Sequence, residues 1–193
     1  MHGLVNRSIQ CFLRDTYGPD VWAGVAVDAG FDPQGFEALE LYDAAVTDAV
    51  LFAAARRLDK PREVLLEDVG IYLVGVEPLR RLLRFGGESY EDFLHSLDEL
   101  PDRVHLAVSD LELPALALDA TGPSRYRLCC VGPQPGFGFV FAGILRAMAD
   151  DYGALALIEP GEAAGELETV AIELLDSSFA AGRDFALALP EAR

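Results

Sequence analysis

The side chains capable of metal binding or nucleophilic attack are few, and their spacing decides what they can do. The chain of 193 residues holds three histidines, His2, His95 and His105, and three cysteines, Cys11, Cys129 and Cys130. An imidazole ligates metals and moves protons near neutral pH. His95 falls off the apolar stripe of Leu94, Leu97 and Val104, which suits a surface hydrogen bond. His105 stands near the end of the same helical pattern, where a positive charge is favoured. Cys129 and Cys130 are neighbours in a strand-like run, so they point to opposite faces and make no joint clamp. A small buried hydrophobe is the simplest role for one of them. An odd cysteine count without CxxC spacing argues against a disulfide framework and a structural zinc site, and for a reducing, cytoplasmic setting.

The remaining constellations are weaker. Glu67, Asp68, Glu91, Asp92, Asp98 and Glu99 fall on helix faces that read as solvated. The run Gly132-Pro133-Gln134-Pro135-Gly136-Phe137-Gly138 lacks the Lys-Ser/Thr of a phosphate loop and reads as a strand-to-helix turn. No Ser-His-Asp, Cys-His or metal-catalytic arrangement is present, so the chain is not expected to be an enzyme.

The elements that would position these residues follow from periodicity. Leu4, Val5, Ile9, Phe12 and Leu13 recur at helical spacing, and Gly18-Pro19 stops that helix. Further helices are expected over 20–29 and 43–58, from an N1 proline at Pro61 onward, and over 79–85. Ser89 caps another, expected to run on through Leu97, Leu100, Val104 and Ala107. Strands are expected over 115–119 and 125–131, joined by Thr121-Gly122-Pro123. A long helix over 136–152 follows, closed by Gly153. Strands over 154–159, 168–174 and 184–189 come last. Helices first and strands afterwards make an α+β chain, with an N-terminal helical lobe packed on a C-terminal antiparallel sheet with one long helix. One domain over 1–193 is expected, helical to about residue 107 and sheet-plus-helix from about 108.

Charge and hydropathy remove two classes of partner. A net charge of −17 repels nucleic acid and anionic lipid. No apolar run reaches the roughly 18–20 residues of a membrane span, and the N-terminus lacks the pattern of a signal peptide.

In order and spacing, several short motifs resemble one family. Met1-His2-Gly3-Leu4-Val5-Asn6 is similar to the M-x-G-x-[VI]-N start of heme-nitric oxide/oxygen binding (H-NOX) domains. Leu65-Leu66-Glu67-Asp68-Val69-Gly70-Ile71-Tyr72 resembles the family's L-L-E-x-[FL]-G-x-[YF] helix. The segment from Asp92 to Leu100 resembles the approach to the heme ligand, and Leu113-Pro114 the proline that presses on heme. The resemblance runs to about Leu189. It implies the H-NOX fold, a heme cofactor in a pocket between the lobes, and a signalling partner such as a histidine kinase or a cyclic dinucleotide enzyme. It also implies pocket positions at Val5, Ile9, Phe12, Leu97, Pro101, Val104, His105, Pro114, Cys130 and Phe139.

The chain departs from the family where the chemistry lies. Pro101 stands where the family has its iron-ligating histidine, and a proline side chain has no lone pair to give. The family's Y-x-S-x-R clamp on the heme propionates falls on Cys130, Gly132 and Gln134, which removes its guanidinium. Phe139 falls where oxygen-binding members place a tyrosine. Three readings stay open. One is a sensor that binds an apolar ligand or a partner without heme. Another is a true NO/O2 sensor with His105 as a displaced metal ligand. The last is an interaction module with a collapsed pocket. Partial closure of the pocket is expected, with Phe12 and Phe139 reaching inward.

Overall fold

A computed structural model describes residues 1–176. Its first half is helical: α1 (Gly3–Tyr17), α2 (Pro19–Asp28), α3 (Ala44–Leu58), α4 (Arg62–Gly75) and α5 (Glu77–Arg84). The stop signals act as expected. Gly18 ends α1 at φ 97°, a conformation that costs glycine little, and Pro19 opens α2. Pro61 lies one position before α4 rather than inside it.

The helix expected from Ser89 to Ala107 is broken. Ser89 and Asp92 form a reciprocal capping box at the start of α6 (Tyr90–His95). A 3-10 turn, Leu97–Glu99, follows, and α7 (Leu100–Ala107) starts afresh. The cause is Pro101. It has no N–H for the carbonyl of Leu97, and its ring would clash with that carbonyl in a continuous helix.

Four strands follow: β1 (Ala115–Gly122), β2 (Arg125–Val131), β3 (Leu155–Pro160) and β4 (Leu167–Asp176), with α8 (Phe137–Tyr152) inserted between β2 and β3. They form one sheet in the order β1-β2-β4-β3, antiparallel throughout. The strand expected over 184–189 lies outside the described residues. Alternation along the strands turns Leu116, Leu128, Cys130, Ile158, Val170 and Ile172 inward, onto α8 and the α6 region. A second core, built on α1 to α4, holds Phe12, Trp22, Val25, Val50 and Leu65.

The two cores meet where α4 crosses α8. A Cβ on Gly70 would lie 2.1 Å from the carbonyl oxygen of Val140, and one on Gly143 would lie 2.0 Å from that of Glu67. Only glycine allows these backbones to approach so closely. Arg146 on α8 pairs with Glu67 on α4 and donates to the carbonyl of Ile158 on β3 at 2.7 Å, tying three elements together.

Candidate inter-lobe cavity

The start of α1 is held from both sides. His2 accepts the N–H of Leu4 at Nδ1 (3.2 Å), which commits that nitrogen to capping the helix. The Gly3 N–H donates to the carbonyl of Glu40 (2.7 Å), where a side chain would collide with the carbonyl of Glu37. One turn on, buried Asn6 accepts the Thr47 hydroxyl at 2.7 Å, fixing α1 against α3. The Phe36 N–H donates to Gln10 Oε1 at 2.9 Å. These bonds set the face that α1 turns toward the second lobe.

Behind that face lies a cavity of about 570 Å3. Val5 and Ile9 of α1 form one wall, and Leu66, Val69 and Leu73 of α4 another. Val140, Phe141 and Ile144 of α8 close the back. Leu79 and Leu82 of α5, Leu100 and Val104 of α7, and Leu111 and Leu113 of the following loop close the far end. Its size is that of a small-molecule site, roughly 300–1,000 Å3.

The polar groups of the lining are mostly committed within the chain. The Ser8 hydroxyl donates to the carbonyl of Leu4 (2.9 Å), the Thr47 hydroxyl to Asn6, and the Tyr72 hydroxyl to Asp15 (2.7 Å). Burial and that carboxylate push the Tyr72 phenol up to about 12. Arg62 pairs with Asp48 at 2.6 Å.

The turn that borders the cavity at Gly136 is held by Glu168 on β4. Its buried carboxylate accepts the N–H groups of Gly136 and Gly138, each at 2.7 Å. It thereby fills the start of α8, where orphan N–H groups and the helix dipole favour an anion.

Of the ten expected pocket positions, Val5, Ile9 and Val104 line the cavity together. Phe12 lies in the helical core, edge-on to Tyr17 and Tyr72 at ring distances of 5.7 and 5.8 Å. Leu97 is fully buried in the sheet-side core, and Pro101 is half-buried near the start of α7. His105 is exposed and lies off the cavity. Pro114 is buried beside Gly132, within 3.2 Å of where a Cβ would stand. Cys130 faces the sheet-side core, where burial pushes its thiol up to about 12. Phe139 leans on the helical core and borders a smaller cavity of about 330 Å3 by Gly161 and Thr169. Phe12 and Phe139 therefore do not reach inward, and the expected closure is not seen. Phe12 is held by the rings of Tyr17 on its own helix and Tyr72 on α4, and Phe139 packs on the helical core.

The walls from α4 and α5 were not among the expected positions. Their signal was present: α4 is apolar both toward α8 and on the Leu66, Val69 and Leu73 side.

The family model for haem-NO-binding domains matches residues 2–159. The chain belongs to this family. Soluble guanylate cyclase gcy-31 of Caenorhabditis elegans is 20% identical over 155 residues, which cover 78% of this chain and 22% of that protein. The chain thus spans about a fifth of the length of that relative. Among solved structures, a point mutant of T. tengcongensis H-NOX is 19% identical, with a TM-score of 0.76 over 93% of this chain and all of that one. An oxygen-binding H-NOX domain related to soluble guanylate cyclases, in its oxygen complex, gives 19% identity and a TM-score of 0.71 over 95% of this chain and all of that one. These likenesses establish the H-NOX fold.

The donor set of this H-NOX domain does not fit heme in the manner the family resemblance implies. None of the described lining residues is a histidine; the lining offers the sulfur atoms of Met1 and Cys11 and the Tyr72 phenol, which is held protonated. At the positions of the propionate clamp, Cys130 faces the core and Gly132 has no side chain; Gln134 alone lines the cavity. The backbone donors at the start of α8 are taken by Glu168. Among the described residues no cluster of His, Cys, Asp or Glu is placed to hold a metal ion, and no helix is long and apolar enough to cross a membrane.

Proposed function

We propose that this chain is a sensory H-NOX domain whose inter-lobe cavity takes an apolar ligand in place of histidine-ligated heme. The observation that carries the reading is the cavity itself: about 570 Å3, walled by aliphatic side chains and without an imidazole. An empty, dry void of that size would cost on the order of 14 kcal/mol at roughly 24 cal/mol per Å3, the entire stability of an ordinary domain. The space is therefore open to solvent or filled when the domain works. The ligand needs few hydrogen bonds, because the polar groups of the lining are mostly paired inside the chain.

In this reading the domain performs no catalysis. Occupancy changes how the helical lobe sits on the sheet, and a cytoplasmic signalling protein, such as a histidine kinase or a cyclic dinucleotide enzyme, reads the change. The test is the absorption spectrum of protein expressed with added heme precursor. The expected spectrum lacks a stoichiometric Soret band. A full Soret band would overturn the reading, and its loss in His105→Ala or Cys11→Ser would identify the ligand atom.

A further inference from the structure

The shape and charge of the cavity narrow the ligand further, on the premise of the heme-free reading above. The lining residues of α4 and its C-cap are Arg62, Leu66, Val69, Leu73 and Val76, with Tyr72 at their side. They fall at i, i+4, i+7, i+11 and i+14, one stripe along the whole helix. At 1.5 Å per residue that stripe is about 21 Å long. An apolar wall of that length suits an extended hydrocarbon chain laid along it.

The two ends of the stripe differ. Beyond Val76 the cavity ends among Leu79, Leu82 and Leu111, all apolar. At Arg62 it meets the Arg62–Asp48 ion pair, and Arg7 is the third charged residue of the lining. Asp48 pairs with Arg62 at 2.6 Å, and Arg7 donates to the carbonyl of Phe36 at 3.3 Å. The lining thus carries two guanidinium groups and one carboxylate, in a chain whose net charge is −17. Arg62 gives Asp48 one nitrogen of a guanidinium that carries five donors. The pair is exposed at 35% and 55% of its side chains, so rearranging it costs little.

We infer that the cavity binds a long-chain carboxylate, with its hydrocarbon tail along α4 and its carboxylate at Arg7 and Arg62. Tail burial supplies the affinity, because apolar area leaving water is the main favourable term. The charged end sets direction, since the opposite end offers nothing polar.

The test uses the full chain stripped of lipid, titrated calorimetrically with dodecanoate and with dodecan-1-ol, two probes of equal tail and different head. The expected result is one dodecanoate per chain, bound at least ten-fold more tightly than the alcohol. The double variant Arg7→Met/Arg62→Met should lose that ten-fold preference and keep alcohol binding. Arg62→Lys in an otherwise unchanged chain should keep most of it, which separates lost charge from lost folding. Equal affinity for both probes, or a preference untouched by the double variant, overturns the carboxylate inference and leaves the apolar-ligand reading standing. Failure of both probes to bind overturns both, and stoichiometric uptake of hemin in the same titration places the failure in the heme-free reading.

Discussion

The two faces of α4 solve opposite problems. Toward α8, Gly70 and the backbone at Glu67 are pressed so close to Val140 and Gly143 that no side chain fits between them. Around the helix, Leu66, Val69 and Leu73 border an open space of about 570 Å3. One helix therefore carries crystal-like packing and a cavity within a single turn of each other. The cavity is not a sign of loose assembly. The chain can bring these backbones into contact, and it holds the lobes apart beside that contact.

Three substitutions would break or sharpen this contrast. The largest effect is expected from Gly143→Leu, which drives a side chain into the carbonyl of Glu67 and separates α4 from α8. Overpacking against an unyielding backbone should cost about 3 kcal/mol, read as a lower denaturation midpoint in urea. An unchanged midpoint would mean that the seam is not the joint between the lobes. A smaller effect of opposite sign is expected from Val69→Phe on the cavity face. The added atoms enter free space, so stability should rise by about 1 kcal/mol, while dodecanoate binding is lost. A fall in stability would show that this wall has no room behind it. The smallest effect is expected from His105→Ala. The residue is exposed and away from the cavity, so stability should move by less than about 0.5 kcal/mol and dodecanoate affinity should hold. A ten-fold loss would return His105 to the site.

Much of the framework was legible because its signals are local. Gly18, Gly153 and the Ser89–Asp92 box mark helix ends within a few residues of the elements they end. Adjacent Cys129 and Cys130 in β2 were expected on opposite faces with one of them buried, and Cys130 is the buried one. Val5, Ile9 and Val104 were legible as cavity residues from the family resemblance. What escaped was non-local. The ring of Phe12 is turned by Tyr72, sixty positions later. Apolar periodicity marks Leu66 and Val69 as shielded from water but does not say whether side chains or open space shield them. Pro101 was read as a lost ligand, and its second effect, breaking a helix, was overlooked although it is backbone chemistry. The cap that Glu168 places on α8 has no signal in the sequence near α8.

That cap also orders events in time. The donors at the start of α8, Gly136 and Gly138, wait for a carboxylate 32 and 30 residues further along the chain. As the chain leaves the ribosome, α8 emerges first and its opening turn lacks this partner. Only when β4 docks beside β2 does the turn gain this partner, at the point where Gly136 borders the cavity. The start of α8 is thus completed from the C-terminal side, and a nascent chain that stops short of β4 carries the helix without its cap.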